Sequence, residues 1–566
     1  MSSRKAKKRP VEAPTAALKA AAAPPAPPAW LERHSLVLTL ALILFASLRI
    51  GATYAVFDHT SDEPNHIACG MEWLDKGTYT YETQHPPLAR IAAALGPYLL
   101  GIRSQGPVVP DTTSVPKEGL AILYHGHRYE LALTLARVCV LPFFWIACLV
   151  VYWWGRRYYS GAIAVVAVFL FSFLPVTLAH GGLATTDMAL TAFTGAAFLV
   201  AMVWLEDPNL RNSCLLGACT ALAVLSKLSA PVFLGGAFVL AFLWYAWTAR
   251  PGWRTLTDTA RRLLKPLGIA AVVGFLVIWA GYRFSIGKVG GIPLPAPQLF
   301  TGLQAVMRHN QQGHPNYLFG EFRLHGFWDY YLVVLAVKTQ LAFLILAGFG
   351  VPVLLRQGKR YRLAWLPLVF SLGVLAVAMG SNINIGARHI LPVYTGLSLA
   401  AAAGVVRLWE LSAARKWLLG VAGILLIWDA GASLLSHPDH LAYFNELAGS
   451  QPEKILVDSN LDWGQDLKRL GARLRQAGAR ELHFNPFWMA DLEKEHGFPP
   501  IHEMDFAQPS PGWNAVGLTY WEVVRLQLLE MNPHVQLWPD RIPPTERVGK
   551  SILLWYFPYP GERRQK

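Results

Sequence analysis

Eleven long apolar runs constrain this chain more than any other feature of its sequence. Most have the roughly 17 to 25 residues that a helix needs to cross a hydrocarbon layer of about 30 Å. Only 15% of the 566 residues are charged, whereas a soluble domain carries about 25%. The sequence therefore predicts an α-helical polytopic membrane protein, with spans at 36–57, 131–153, 162–179, 188–205, 214–226, 230–247, 267–284, 330–355, 363–379, 390–406 and 417–435.

Basic residues orient these spans, because cytoplasmic loops of membrane proteins are enriched in Lys and Arg. The net charge of +14 is thus a topology signal and does not indicate a nucleic-acid-binding surface. The outer gaps at 181–186 and 380–387 contain no Lys or Arg. With the N-terminus inside, the inner gaps carry Arg156, Arg157, Arg211, Arg250, Arg254, Arg261, Arg262, Lys265, Arg356, Lys359, Arg360, Arg362, Arg407, Arg415 and Lys416.

The same rule decides how the apolar stretch at 88–101 is interpreted. Counted as a full span, it would put Arg156 and Arg157 outside, so we expect an interfacial helix within the first outer loop. Residues 1–34 are expected to form a disordered basic cytoplasmic tail, and residues 35–435 to form the membrane domain.

Three large segments are predicted to lie on the outer face: the loops at 58–130 and 285–329, and the polar chain at 436–566. The last has about 130 residues, enough for a small domain. We expect a compact α/β domain there, built from an amphipathic helix at 463–476 and β-like runs at 454–457, 481–484 and 551–557.

Ionisable residues inside or at the ends of the spans are all predicted on the outer side. Charge is costly in hydrocarbon, so each one needs a reason. Snorkelling to the interface accounts for many single Lys or Arg residues, but less well for the acidic Asp187 and for Lys338, which lies well inside its span. These ionisable residues include Arg49, Asp187, Lys227, Arg283, Lys338 and Arg388.

The first outer loop adds two groups of polar residues at the membrane surface. Asp62 and Glu63 directly follow the first span, with His66 close behind; as an isolated pattern they also suit the capping of a helix. His85 and Arg90 flank two prolines that can begin the interfacial helix, and this arrangement would hold both side chains at headgroup level.

Together these residues match one type of chemistry. A surface carboxylate can accept the proton of an acceptor hydroxyl while cations stabilise a departing lipid phosphate. A glycosyl phosphate has a good leaving group, so it needs one base and a cationic site, whereas glycoside hydrolysis uses two carboxyl groups.

The ordered motifs resemble the group of protein O-mannosyltransferases and aminoarabinose transferases with the GT-C fold, in particular its bacterial members. They are Asp62-Glu63, His85-Pro86-Pro87-Leu88, Thr186-Asp187, Leu225-Ser226-Lys227 and Gly386-Ala387-Arg388-His389-Ile390-Leu391-Pro392. The resemblance implies an inverting glycosyltransferase that takes its sugar from a polyprenyl-phosphate donor on the outer face and gives it to a hydroxyl of a protein, lipid or glycan.

The resemblance also assigns roles to residues. Asp62 is implied as the catalytic base and Glu63 as its helper in positioning the acceptor. The donor phosphate would be bound by His85, Lys227 and Arg388, with Arg90 and Lys338 in addition, and the cavity would also contain Arg49, His66, Asp187 and His389. Aminoarabinose transferases carry a Lys where this chain has His85, which favours a mannose-like sugar.

The C-terminal chain departs from the eukaryotic-type mannosyltransferases, which carry a β-rich domain between two spans. Its segment Asp458-Ser459-Asn460-Leu461-Asp462-Trp463-Gly464-Gln465 is similar to the tail of bacterial members of unassigned acceptor. One interpretation is a strand, an Asx-rich turn and a capped helix. The alternative is that Asp462, Trp463 and Gln465 help to hold a sugar or acceptor.

Other classes of protein stay open at the level of sequence. A transporter or lipid flippase with an outer accessory domain would show broken helices and charges near the midplane, which the sequence does not indicate. A structural protein would not need Asp62 beside cations. A divalent metal is left open, because Glu63, His66 and His85 match no standard metal motif. The composition fits a multi-pass protein of a bacterial inner membrane with a periplasmic C-terminal domain.

Overall fold

The computed structural model describes residues 28–106, 108–111, 113–360, 363–486 and 491–561, with the side chains of 357–360 excepted. The helices are α1 Ala29–Arg33, α2 Ser35–Thr53, α3 Asp62–Met71, α4 Pro87–Leu99, α5 Ser114–Tyr124, α6 Tyr129–Tyr158, α7 Gly161–Phe173, α8 Pro175–Gly181, α9 Asp187–Glu206, α10 Leu210–Ser226, α11 Ala230–Ala249, α12 Trp253–Gly281, α13 Pro297–Gln312, α14 Tyr330–Lys338, α15 Leu341–Arg360, α16 Leu366–Met379, α17 Val393–Leu411, α18 Trp417–Leu435, α19 Leu467–Gln476, α20 Leu492–His496 and α21 Leu518–Met531.

The chain is an α-helical polytopic membrane protein, as the sequence predicts. Each of the eleven predicted spans is a helix or a bent pair of helices. Within the described ranges, six helices are long and apolar enough to cross a membrane, or eight if each bent pair is one span: α2, α6, α9, α11, α12 and α18, with the pairs α7 to α8 and α14 to α15. The remaining predicted spans are the helices α10, α16 and α17.

Two predicted spans are broken, which corrects the expectation of unbroken helices. The helices α7 and α8 meet at 71°, where Leu174 is extended before Pro175. The helices α14 and α15 meet at 113°. There the Asn445 side-chain amide donates to the carbonyls of Ala336 at 2.5 Å and Thr339 at 2.6 Å. Backbone carbonyls freed by the second break are thus bound by the chain itself, as a break in an apolar helix requires.

The first outer loop is mainly helical. Asp62 opens α3, where the helix polarity favours an acidic residue in the first turn. Pro87 occupies the first turn of α4, the helix predicted at 88–101. Because α4 buries Ala89, Arg90, Ala93 and Ala94, the loop packs on the membrane domain as part of its core.

The second outer loop contains two hairpins and a helix. Strands β1 Ile286–Val289 and β2 Ile292–Pro295 pair antiparallel, α13 follows, and β3 Asn316–Leu318 pairs antiparallel with β4 Glu321–Arg323. Gly302 on α13 lies against the Thr83 backbone of the first loop. The two outer loops therefore share one surface.

The C-terminal chain forms the predicted α/β domain. Its strands are β5 Leu482–Phe484, β6 Ile501–His502, β7 Gly512–Gly517, β8 Glu546–Val548 and β9 Ile552–Phe557. The sheet has the order β6-β5-β7-β9-β8; β5 is parallel to β6 and β7, and the other pairs are antiparallel. The helix expected at 463–476 begins at Leu467. Residues 454–457, which were predicted to form a strand, do not form one.

The segment predicted to be a disordered N-terminal tail lies only partly within the described residues. Residues 1–27 of the expected disordered tail lie outside the described residues. Residues Ala29–Arg33 form the short helix α1, so the prediction of disorder through residue 34 is wrong for this part.

Candidate functional site

The site is organised around an ion pair between the first residue of α3 and the turn before α17. Arg388 Nη1 donates to Asp62 Oδ2 at 2.5 Å; the Asp62 side chain is 35% exposed and that of Arg388 is 8% exposed. Burial raises the pKa of the Asp62 carboxyl, but the Arg388 charge outweighs this effect and holds the pKa at about 2. Asp62 is therefore ionised at neutral pH and open to solvent on one side.

The Arg388 guanidinium has further contacts and one unused donor. Its Cζ lies 4.2 Å from the centroid of the buried Trp463 ring. Its Nε is buried without a hydrogen-bond partner among the described residues. Since a buried charged donor is costly when unpaired, this nitrogen is suited to bind an acceptor atom of a ligand.

A second ion pair faces the same region. Asp187 opens α9 and accepts a 2.7 Å hydrogen bond from Nζ of Lys227, which directly follows α10. Asp187 is 1% exposed and Lys227 14%. Burial lowers the pKa of His389, and the charges of Lys227 and Arg388 lower it further. His389 is thus close to the charges of Lys227 and Arg388 and is neutral at pH 7.

Histidines of the first loop complete this side of the site. The rings of His66 and His85 are 5.3 Å apart. The pKa of each is lowered, first by burial; the Arg90 charge lowers both and that of Lys227 lowers the pKa of His85. Both imidazoles are neutral at pH 7 and can donate or accept hydrogen bonds.

Arg90 is held by the loop itself. It donates to the carboxylate of Glu82, to the Glu82 carbonyl at 2.7 Å and to His66 Nδ1 at 3.1 Å. Arg90 is completely buried. It therefore fixes the shape of the His85 loop, and the role in phosphate binding that the resemblance implied for it does not fit its contacts.

Glu63 is completely buried and has other partners than Asp62. Arg137 binds both of its carboxylate oxygens, at 2.9 and 2.8 Å. The backbone N–H groups of Ala184 and Thr60 also donate to it, at 2.9 and 2.7 Å. With every oxygen occupied, Glu63 anchors the loop to α6, and these contacts do not fit the positioning of an acceptor.

Two other predicted residues also have structural partners. Arg49 donates to the side chain and carbonyl of Ser433, at 3.0 and 2.6 Å, and so joins α2 to α18. Lys338 lies at the break after α14 and is 2% exposed. It donates to the carbonyls of Leu441 at 2.8 Å and Asn460 at 2.5 Å, which fastens the C-terminal chain to the membrane domain.

The C-terminal segment around Trp463 lies directly against the site. Asp462 accepts from the N–H of Thr519 at 3.1 Å and so faces the start of α21, and burial raises its pKa to about 7. Gln465 binds within its own loop, accepting from the Trp463 N–H at 2.7 Å. Of the three predicted residues, Trp463 alone contacts the Asp62 and Arg388 pair, through its ring on Arg388.

Several residues of the site were missed by the sequence reasoning. Glu82 and Arg137, the partners of Arg90 and Glu63, gave no motif signal, although a buried charge that needs a partner is a general expectation. His309 and His314 are hydrogen-bonded to each other at 3.3 Å, and His309 to Gln84 beside His85. Both histidines come from the second outer loop. No pattern in the sequence indicated that this loop packs against the first outer loop.

Groups of three or more His, Cys, Asp or Glu side chains placed to hold a metal ion are not found within the described ranges. The three residues considered as metal ligands have separate partners. Glu63 binds Arg137, His66 accepts from Arg90, and His85 contacts Glu82 at 3.2 Å.

No protein-family profile matches the sequence, and no curated protein is detectably similar to it. Among solved structures, ArnT from Cupriavidus metallidurans bound to undecaprenyl phosphate is similar with a TM-score of 0.49 at 13% identity, covering 91% of this chain and 97% of ArnT. The oligosaccharyltransferase AglB from Archaeoglobus fulgidus, in complex with an inhibitory peptide and a dolichol-phosphate, has a TM-score of 0.42 at 13% identity, covering 71% of this chain and 56% of AglB. Both are GT-C fold glycosyltransferases, but at these values the chemistry has to be argued from the site itself.

Proposed function

We propose that this protein is an integral-membrane glycosyltransferase that moves a sugar from a polyprenyl-phosphate donor to a hydroxyl acceptor with inversion. Asp62 is the base, and Arg388 and Lys227 bind the donor phosphate. The observation that carries the proposal is the ion pair of Asp62 and Arg388. It combines a half-exposed carboxylate with a guanidinium whose Nε is buried and unpaired among the described residues.

The ion pair supports a mechanism in which the donor phosphate takes the place of Asp62 on Arg388. A phosphate and a guanidinium form strong charge-assisted hydrogen bonds. Once the phosphate replaces Asp62 on Arg388, the effect that keeps the pKa of Asp62 at about 2 is lost, and the nearby phosphate charge raises the pKa further. Donor binding thus makes Asp62 a stronger base.

The proposed chemical step forms one bond and breaks one bond at the anomeric carbon of the sugar. The acceptor oxygen forms a bond to the anomeric carbon, and its proton passes to Asp62. The bond between the anomeric carbon and the phosphate oxygen breaks, and the electron pair leaves with the polyprenyl phosphate. Arg388 and Lys227 stabilise the additional negative charge on that leaving group.

The neutral histidines and the paired carboxylates support an uncharged, mannose-like sugar. His66, His85 and His389 can hydrogen-bond sugar hydroxyls without adding charge. Three other carboxylates are each bound to a cation and are not available to a cationic amino sugar: Glu63, Glu82 and Asp187. The acceptor is proposed as a hydroxyl of a protein, lipid or glycan at the outer face of a bacterial inner membrane.

A transporter or flippase is the second candidate, because the two broken helices are a feature of that class. At the break after α14, however, Asn445 and the C-terminal carbonyls occupy the polar groups. The break is filled by protein, which favours the transferase over a permeation path.

The test is incubation of the purified protein with radiolabelled polyprenyl-phosphate sugars and candidate acceptors. The proposal expects label on an acceptor and release of polyprenyl phosphate. Mass spectrometry of lipid that co-purifies with the protein identifies the donor. In proteoliposomes, movement of a lipid-linked sugar across the bilayer with no transfer would support the flippase and overturn the proposal.

A further inference from the structure

We propose that Trp463 is a positioning residue that holds the Arg388 guanidinium in the orientation for binding the donor phosphate. The C-terminal chain would then contribute a residue to the site. This inference rests on the proposed function. It concerns the connector segment, residues 458–466, which lies between the membrane domain and the first helix of the C-terminal domain.

The contact between Trp463 and Arg388 has the geometry of a cation–π interaction. The guanidinium carbon lies 4.2 Å from the ring centroid, and the Trp463 side chain is 3% exposed. A guanidinium stacked on an aromatic face keeps its N–H groups in its own plane, directed outward from its edge. Here one of these groups binds Asp62 and the Nε is buried without a described partner. The contact with the ring therefore leaves the Nε of Arg388 to the ligand.

The backbone of Trp463 is held by the loop that carries Asp62. Its carbonyl accepts from the Ser61 N–H at 3.2 Å, and the Gln465 carbonyl accepts from the Asp58 N–H at 3.0 Å. Its own N–H is bound by the Gln465 side chain at 2.7 Å. The connector is therefore a backbone partner of the first outer loop at Trp463 and at Gln465.

The connector also holds the backbone beside Arg388. The Ala387 N–H donates to the side chain of Asn460 at 3.0 Å, and the Asn460 carbonyl accepts from Lys338 at 2.5 Å. The connector segment thus contacts the backbone next to Arg388 and the face of the Arg388 guanidinium. Because Arg388 lies over the Trp463 ring, this face of the ring is not available to a sugar or acceptor.

The experiment compares Trp463→Leu with Trp463→Phe, since phenylalanine keeps an aromatic face and leucine does not. Trp521→Leu is the matched control, because Trp521 is 4% exposed in the same domain and packs on Phe506 at 5.2 Å. Binding of undecaprenyl phosphate to each folded variant is measured by titration, and transfer is measured as kcat and KM. Thermal unfolding shows which variants are folded.

We expect Trp463→Leu to weaken undecaprenyl phosphate binding about tenfold or more, as loss of a desolvated cation–π contact implies. Trp463→Phe should recover most of the affinity, and Trp521→Leu should bind like the wild type. Equal affinity of Trp463→Leu and the wild type would overturn the inference, as would an equal loss in Trp463→Phe and Trp463→Leu.

A double-mutant cycle separates a positioning role from general destabilisation. If Trp463 acts through Arg388, Trp463→Leu should cost little further affinity in an Arg388→Gln background, in which residue 388 has no charge to contact the ring. Additive losses would contradict the role. The binding assay also keeps the two proposals distinct: a wild type that binds the lipid phosphate but transfers no sugar overturns the proposed function, while the variants still decide the role of Trp463.

Discussion

Asp62 and Glu63 are adjacent in the chain, yet their carboxylates bind two different arginines. The partly exposed Asp62 binds Arg388, and the buried Glu63 binds Arg137 on α6. The acidic pair therefore divides into a residue suited to chemistry and a residue that anchors the loop, a distinction that their shared motif does not contain.

The anchoring role predicts that Glu63→Gln acts on stability. Removal of one partner leaves Arg137 buried and unpaired, which costs about 3–5 kcal/mol. Thermal unfolding in detergent should show the loss. Glu72→Gln is the control, because Glu72 is 1% exposed and accepts hydrogen bonds from hydroxyl and backbone N–H donors. The larger loss should be that of Glu63→Gln; unchanged unfolding would contradict the anchor.

The exchange of Arg388 from Asp62 to the donor predicts two different acid limbs. The profile of kcat/KM reports the free enzyme, in which Arg388 holds the pKa of Asp62 at about 2. The profile of kcat reports the donor complex, in which this pKa is higher. The acid limb of kcat should therefore lie at higher pH than that of kcat/KM. Coincident limbs would show that donor binding leaves the ion pair intact.

Lys227 is predicted to contribute donor affinity. Lys227→Met removes a charge-assisted hydrogen bond to the phosphate, which corresponds to about 10- to 100-fold weaker binding of the polyprenyl phosphate. Lys468→Met is the matched control: Lys468 is 13% exposed and bound to Glu130 at 2.5 Å. Equal losses in the two variants would mean that the effect is not specific to the site.

The orientation of the chain is a separate prediction. A cysteine at Gln508, in a background without the five native cysteines, should react with a membrane-impermeant maleimide from the outer side of intact cells. A cysteine at Arg211 should react only after permeabilisation. Labelling at 508 only from the cytoplasmic side would reverse the topology and move the whole site to the other face.

The sequence predicted the parts of this molecule that depend on local pattern. Apolar length located each membrane helix, and the residues at helix ends, Asp62, Asp187 and Lys227, are where the motifs indicated. Pairing over long separations was not predictable, because it depends on tertiary packing. Arg137 joins Glu63 from 74 positions away, and Trp463 meets Arg388 from the C-terminal chain. The breaks after Phe173 and Lys338 were missed because both sides of each break are apolar.

The central claim is that Asp62 is the base of a sugar transfer. The most direct measurement is the rate of transfer of radiolabelled sugar from polyprenyl phosphate by Asp62→Asn and by the wild type, at equal folded protein. Asn keeps the size of the side chain but cannot accept the proton, so the rate should fall by about 10²- to 10⁴-fold. Donor lipid binding should persist. Transfer by Asp62→Asn at the wild-type rate would contradict the account.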